Sequence, residues 1–564
     1  MLKNRSWLYA LLFASFIIAP LSHVEAQRQI TIDDIWTKGT FRTKGVPGFR
    51  FMNDGRHYTT LENNYILKYD LTTGNLTDTL LDVNLLNLPG EDKRIDDYTF
   101  SDDESQLLLT AGSEAIYRHS TKEWTYVYDN TSRKVAGLNE KGKQMHATFS
   151  PDGKKVGFVM DNNMYYKDLA SGKITQVTTD GKWNHIINGS CDWVYEEEFS
   201  FTKAFAWSPD NRYIAYYRFD ESAVKEFTMT NYTGELYPEN VTFKYPKVGM
   251  ENSKVSIHIF DTKTKKKVNV DRTSDPDGYI PRIKWTNDPS KLCVFWMNRH
   301  QNHLELLIAN SVSGKTTKLL QEENKYYIDI HDNLTFLQDG QGFIWTSEQD
   351  GFNHIYLYDM SGSLKKQITT GNWEVTSFYG VDEKNKTLYY QSASVSPMER
   401  EIISIGLDGG NKKPLHVNKG MNTAQFSTTY DLFVLNHSTI NSAPTYTVYD
   451  RKGKVVRVLE NNEGVKKQQE EAGAQPVEFF NFTTSEGVDL NGYMIMPANF
   501  DPAKKYPVFM TLYGGPGSQE VLDGWMGADY WWYQSLAQQG YIIACVDNRG
   551  TGGRGEEFKK MTYL

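Results

Sequence analysis

The stretch "FSPDGKKVGFVMDNNMYYKDLASGK", residues 149–173, decides the fold. It opens on an aromatic residue, turns through Ser-Pro-Asp-Gly and enters an apolar strand. It then reaches another strand that ends in a turn of Ser, Gly and Lys. Pro presets φ, Asp hydrogen-bonds its own backbone, and Gly accepts left-handed geometry, so each turn residue has a physical reason to be there. The opening phrase returns as "FMNDG" at Phe51, "FSDDE" at Phe100, "WSPDN" at Trp207 and "WTNDP" at Trp285. It continues as "FLQDG" at Phe336, "FYGVDEKN" at Phe378 and "FSTTYD" at Phe426. The closing phrase returns as "YDLTTGN" at Tyr69, "YDNTSRK" at Tyr128, "FDTKTKK" at Phe260 and "ANSVSGK" at Ala309, then "YDMSGSL" at Tyr358, "GLDGGNK" at Gly406 and "YDRKGKV" at Tyr449. Both phrases occur eight times, in alternation. A period of roughly 40 to 60 residues built from strands and tight turns is the signature of a β-propeller. The reading is a mainly β chain, with an eight-bladed β-propeller over residues 48–460. Two stacked β-sandwiches are the rival, and they leave the alternation unexplained.

Beyond Leu459 the pattern changes. Residues 461–475, "NNEGVKKQQEEAGAQ", are charged and polar and read as a linker or short exposed helix. Next come "VEFFNFTTSEGVDLNGYMIMP", a hairpin, and "YPVFMTLYGGPG", a buried strand ending in a Gly/Pro loop. "WWYQSLAQQG" reads as a helix stopped by Gly540, and "YIIACVDNRGTGGRG" as a second apolar strand. Apolar strands separated by a helix indicate a parallel sheet. Residues 476–564 are therefore expected to begin an α/β domain that stops short of the strands needed to close its core.

The first 26 residues stand apart. Lys3 and Arg5 precede an apolar run from Trp7 to Leu21, then Val24-Glu25-Ala26, a secretory signal peptide cut before Gln27. An uncleaved anchor is the competing reading, but the run is short and contains Pro20. Residues 27–47 are expected to pack on this C-terminal domain. Cys191, Cys293 and Cys545 are the only cysteines, too few and too scattered for a disulfide framework in an exported chain. The protein reads as bacterial, and periplasmic or secreted, with no membrane span after signal cleavage. A net charge of −9 over 564 residues argues against nucleic acid as a partner.

Two blades carry insertions, and loops inserted in repeat proteins gather on functional faces. One holds "CDWVYEEEFSF", where Glu196, Glu197 and Glu198 sit between aromatic residues. Like charges side by side call for a cation. A solvated acidic turn is the bland reading for three glutamates in isolation; the flanking Trp193, Tyr195 and Phe199 weigh against it. His300 and His303 lack a third ligand, so no metal is expected, and no glycine pattern predicts a cofactor.

The order of parts, a propeller with "DWVYEEEF" in an insertion, then "YPVFMTLYGGPG" and "VDNRGTGGRG", closely resembles the dipeptidyl peptidase IV group of the prolyl oligopeptidase family. The resemblance covers nearly all of the mature chain. It implies that residues 476–564 are the N-terminal part of an α/β-hydrolase domain, cut before the nucleophile, and that the protein is a serine exopeptidase releasing X-Pro, or X-Ala, dipeptides from peptides with a free N-terminus. It also implies that Glu197 and Glu198 bind the substrate's terminal ammonium, with Glu196 structural. By the same resemblance Arg118, in "IYRHS", contacts a substrate carbonyl, and Tyr513, in "TLYGGPG", stabilises the oxyanion. A homodimer is implied for the full-length protein. The family's Gly-x-Ser-x-Gly, Asp and His do not occur here, so the chain as given is expected to be inactive alone. A tripeptidyl peptidase or oligopeptidase of the same family, and a non-catalytic peptide-binding propeller, are the alternatives.

Overall fold

A computed structural model describes residues 28–46, 48–86, 88, 94–273, 278–416 and 418–563. The signal-peptide reading of residues 1–26 lies outside them. Eight antiparallel sheets follow one another along the chain, here called blades 1 to 8. Their strands span 50–82, 97–137, 145–176, 186–269, 278–323, 335–367, 375–416 and 421–460. Seven have four strands in sequence order, and blade 4 has five.

The repeated phrases have structural counterparts. The closing phrase lies between the third and fourth strands of every blade, as between Tyr65–Asp70 and Leu76–Asp82 in blade 1. In most blades an Asp closes that turn by accepting backbone N–H groups. Asp70 takes those of Thr72 and Thr73, Asp261 those of Lys263 and Thr264, and Asp359 those of Ser361 and Ser363. Because these bonds are to the ionised form, the Asp359 carboxyl is pulled down to about 2, chiefly by the Ser361 hydroxyl.

Neighbouring blades pack face to face through apolar and aromatic side chains, and among the described residues no strand is shared between blades. The ring closes where Phe49, Tyr58 and Leu71 of the first repeat meet Val434 and Val448 of blade 8. Two side chains of blade 8 reach across the seam: Gln425 donates to the Phe49 carbonyl and Thr428 to that of Met52, each at 2.8 Å.

Blade 4 departs from the pattern in a way that builds the site. Its innermost strand is interrupted: Ile186–Asn188 and Phe205–Trp207 both pair with Tyr213–Asp220. The register runs on across the break, with Asn188 opposite Arg218 and Phe205 opposite Tyr216. Residues 189–204 are thus looped out of a continuous ladder, and they carry helix α1, Trp193–Glu198. The second insertion, expected in a different blade, falls in blade 4 as well, between its strands Tyr213–Asp220 and Lys254–Asp261; it is an exposed hairpin, Glu226–Asn231 paired with Glu239–Lys244.

After blade 8, helix α2 (Glu463–Ala472) forms within the stretch expected to link the two regions, and its Val465 and Ala472 are buried. A second sheet follows in the order Val477–Thr483, Asp489–Ile495, Ile542–Val546, Val508–Thr511. The last two strands are parallel and are connected through helix α3, Ala528–Gln538. The strand Val508–Thr511, expected to be buried, is instead the sheet's edge. Val508 and Met510 are exposed, because no described element covers that side. Residues 28–41 lie against α2 and α3. Phe41 stacks on Trp531 at 4.1 Å, and Gln538 of α3 contacts the backbone of both Arg28 and Ile30.

Candidate functional site

Helix α1 forms because Asp192 caps it, its carboxylate accepting the Tyr195 N–H at 3.0 Å while the Ser253 hydroxyl donates to its other oxygen at 2.5 Å. The loop is pinned at its base by Gly189 N–H to Tyr217 O, Tyr217 N–H to Ala204 O and Cys191 N–H to Thr202 O. Tyr195 and Phe199, four apart and so on one helix face, turn into the core against Phe219 and Tyr279. The Tyr195 hydroxyl accepts the Ile280 N–H at 3.0 Å. The aromatic residues of the motif therefore anchor the helix, and its glutamates face away from that anchor.

The three glutamates have different surroundings. Glu196 is only 1% exposed, and one of its oxygens accepts the backbone N–H groups of His119 and Ser120 at 2.6 and 3.0 Å. Its other oxygen is buried without a partner among the described residues. Glu197 is 18% exposed and accepts from Arg118 Nε at 3.0 Å. Glu198 is exposed and has no ion pair among the described residues. Arg118 stands at the tip of the long blade 2 hairpin, between strands Gln106–Ala115 and Thr121–Asp129. The structure thus brings Arg118 and the glutamate cluster together from blades 2 and 4, with Glu196 holding the backbone immediately after Arg118.

Two further carboxyl groups are buried nearby. Burial, followed by the nearby Asp192 charge, pushes the Glu221 carboxyl up to about 7. Burial also raises Asp192. Tyr117, next to Arg118, is raised by burial and then by the charges of Glu221, Asp192 and Glu196. One guanidinium faces three glutamates, so the local balance, one positive against three negative, still favours a cation. Glu221, in "FDES" ahead of the second insertion, was not among the sequence-predicted residues. An acidic residue at the mouth of an insertion was the available signal.

Tyr513 lies elsewhere, just past the C-terminal end of strand Val508–Thr511, the end at which open α/β sheets bind ligands. It is 69% exposed and makes no hydrogen bond among the described residues, to the glutamates included. Its ring lies over Gly515, where a Cβ would stand 2.3 Å from the Tyr513 ring carbon Cε1, so a side chain at 515 would push the ring from this position. The following loop is tied to the turn after strand Ile542–Val546: Gly517 N–H donates to Gly550 O at 2.7 Å, and Gly552 N–H to Ser518 O at 3.2 Å. Asp547 joins the same two segments by accepting the Glu520 and Val521 N–H groups, both at 3.0 Å.

A polar cavity of about 570 Å³ lies between blades 5 to 7 and this second sheet region, lined by Glu322, Glu348, Glu374, Arg400, Gly517 and Lys559 among others. None of the sequence-predicted site residues lines it. Among the described residues no cluster of His, Cys, Asp and Glu is arranged to hold a metal, and no helix is long and apolar enough to cross a membrane. The three cysteines are buried and unpaired.

A propeller with this helix inserted in its fourth blade, followed by a hydrolase-type sheet, defines a class of multi-domain proteins. The family profile described as dipeptidyl peptidase IV (DPP IV) N-terminal region matches residues 101–444. This chain belongs to the dipeptidyl peptidase IV family. It is similar to the crystal structure of Porphyromonas gingivalis dipeptidyl peptidase 4, with 40% identity and a TM-score of 0.90, covering 95% of this chain and 76% of that one. It is also similar to dipeptidyl peptidase 4 of Trichophyton rubrum, 29% identical over 90% of this chain and 67% of the relative. The dipeptidyl peptidase 4 of Trichophyton equinum is 29% identical over 82% of this chain and 62% of the relative. The chain thus spans about two thirds or less of the length of these curated relatives.

Proposed function

We propose that the full-length protein is an exported serine exopeptidase that releases N-terminal X-Pro, or X-Ala, dipeptides. The observation that carries this reading is the division of labour in the cluster. Glu196 is occupied by backbone N–H groups, while Glu197 faces Arg118 and Glu198 stands unpaired beside it. A terminal ammonium offers three donors and a full charge, which suits Glu198 and the second oxygen of Glu197. Arg118 keeps donors free for a substrate carbonyl. A chain continuing past the ammonium would bring an uncharged amide to the carboxylates, so the cluster measures substrate from its end. Tyr513 would donate to the oxyanion at the far end of the dipeptide.

No cofactor is needed for this chemistry. The relatives and the solved neighbour are dipeptidyl peptidases 4, which supports dipeptide release over tripeptide release. Homodimerisation is proposed through the blade 4 hairpin, whose tip exposes Tyr232, Leu236 and Tyr237. The deciding experiment is mass spectrometry of products from two peptides, one with Pro at position 2 only and one with Pro at position 3 only, incubated together with the full-length protein. Release of the first two residues supports the assignment; a tripeptide, or no product, overturns it.

A further inference from the structure

Two buried charges of the propeller have no part in the glutamate cluster: one reaches the segment that carries Tyr513, and the other the turn paired with it. Arg400 stands just before the blade 7 strand Glu401–Gly406. It donates to the backbone carbonyls of Pro397 and Glu399 at 2.8 and 2.9 Å, and to the Gln519 side-chain oxygen at 2.7 Å. Gln519 returns a bond from its amide to Pro397 O at 2.7 Å. Glu374 stands just before the first strand of blade 7, Val375–Asp382. Its two oxygens accept the N–H groups of Gly553 and Gly555, each at 3.0 Å. Gly555 must be glycine there, since a Cβ would come within 2.9 Å of Gly351 O.

Further along, Lys560 is wholly buried against Glu348 at 2.6 Å, and Lys559 bonds both Glu348 and Asp329 at 2.5 Å. Arg400 holds one side of the paired loops 513–521 and 547–555, and Glu374 holds the other. The bonds between Gly517 and Gly550, and between Gly552 and Ser518, make those loops one unit.

We infer that Arg400 and Glu374 are positioning residues for Tyr513, fixing the oxyanion-binding loop from the propeller side. This inference rests on the oxyanion role proposed for Tyr513. A displacement of about 1 Å in a catalytic group can cost as much as 100-fold in rate, so such contacts would act on turnover more than on binding.

The test is a double-variant cycle in the full-length protein, read as kcat and KM on an X-Pro anilide, with thermal melting to confirm folding. Arg400→Met should lower kcat about tenfold or more while leaving KM within about twofold, since the ammonium site is untouched. Combined with Tyr513→Phe, it should add no further loss, because both act through one phenol. Gln519→Leu, at a half-buried position, removes the same contact and carries the test if Arg400→Met fails to fold. Losses that multiply in the double variant, or a kcat that stays at the wild-type value, would overturn the positioning role. If Tyr513→Phe alone keeps wild-type kcat, the oxyanion reading falls, and this inference falls with it.

Discussion

Replacing Glu198 by Gln keeps the shape of the side chain and removes its charge. Because Glu198 is exposed and has no ion pair among the described residues, the folded state should hardly notice. A substrate ammonium would lose a charge-assisted hydrogen bond, which contributes about 1.5–3 kcal/mol. At 1.4 kcal/mol per decade, that is about a 10- to 150-fold loss in kcat/KM. Glu197→Gln should lose at least as much, since it also releases Arg118 from its 3.0 Å partner. Arg118 is 71% exposed, so the freed guanidinium rehydrates, and the cost to stability should stay below about 1 kcal/mol. The assay is kcat and KM on an X-Pro anilide with the full-length protein between pH 6 and 9. The wild type should lose activity as the substrate's α-amino group, with a pKa near about 7.7–8, gives up its proton. In Glu198→Gln that decline should be shallower, because less of the binding depends on the charge. Values of kcat/KM within a factor of two of wild type for both variants, with an unchanged alkaline limb, would refute the ammonium argument.

Tyr513→Phe should lower kcat by about 100- to 1000-fold with little change in KM, the usual cost of removing an oxyanion donor, measured by steady-state kinetics on the full-length protein. Glu221, raised from its ordinary 4.5 to about 7, keeps a proton in the folded chain that the unfolded chain releases between those values, so stability falls as pH rises through that window. The contribution is at most about 3 kcal/mol, and Glu221→Gln should raise the melting temperature at pH 8 more than at pH 5. Glu123, likewise pushed up to about 7 by burial, leaves its own slope in both proteins. Phe41→Ala, which removes the ring stacked on Trp531, should destabilise the packing of the second sheet by about 3–5 kcal/mol, seen as a lower melting temperature by circular dichroism. Leu236→Asp with Tyr237→Asp, at the exposed hairpin tip, should convert a dimer to monomer in sedimentation without changing the melting of the propeller.

The blade count was legible because its signals are local. An Asp at the end of a third strand closes its own turn within two or three residues, as Asp70, Asp261 and Asp359 do, so the chemistry is written beside the fold it produces. The place of the cluster was legible in part. Residue type pointed to a cation for the glutamates, and the family resemblance named Arg118 for a substrate carbonyl; its pairing with Glu197 was not foreseen. The split between Glu196 and its neighbours depends on which face of a six-residue helix meets the blade 2 hairpin, and no local pattern encodes that.

What the sequence left out is mostly contact across the two regions. Gln519 meets Arg400 across 119 positions, and Gly555 meets Glu374 across 181. Each partner taken alone reads as an ordinary surface charge or turn glycine. Their burial follows from the second sheet region resting on blades 5 to 7, where an unpaired charge would cost several kcal/mol, of order 3–5. That cost gives the interface its specificity. A segment that failed to present Gln519 to Arg400, and the Gly553 and Gly555 N–H groups to Glu374, would strand two buried charges at once. The sheet can therefore settle on the propeller in few ways, and the loop behind Tyr513 takes its place from that choice.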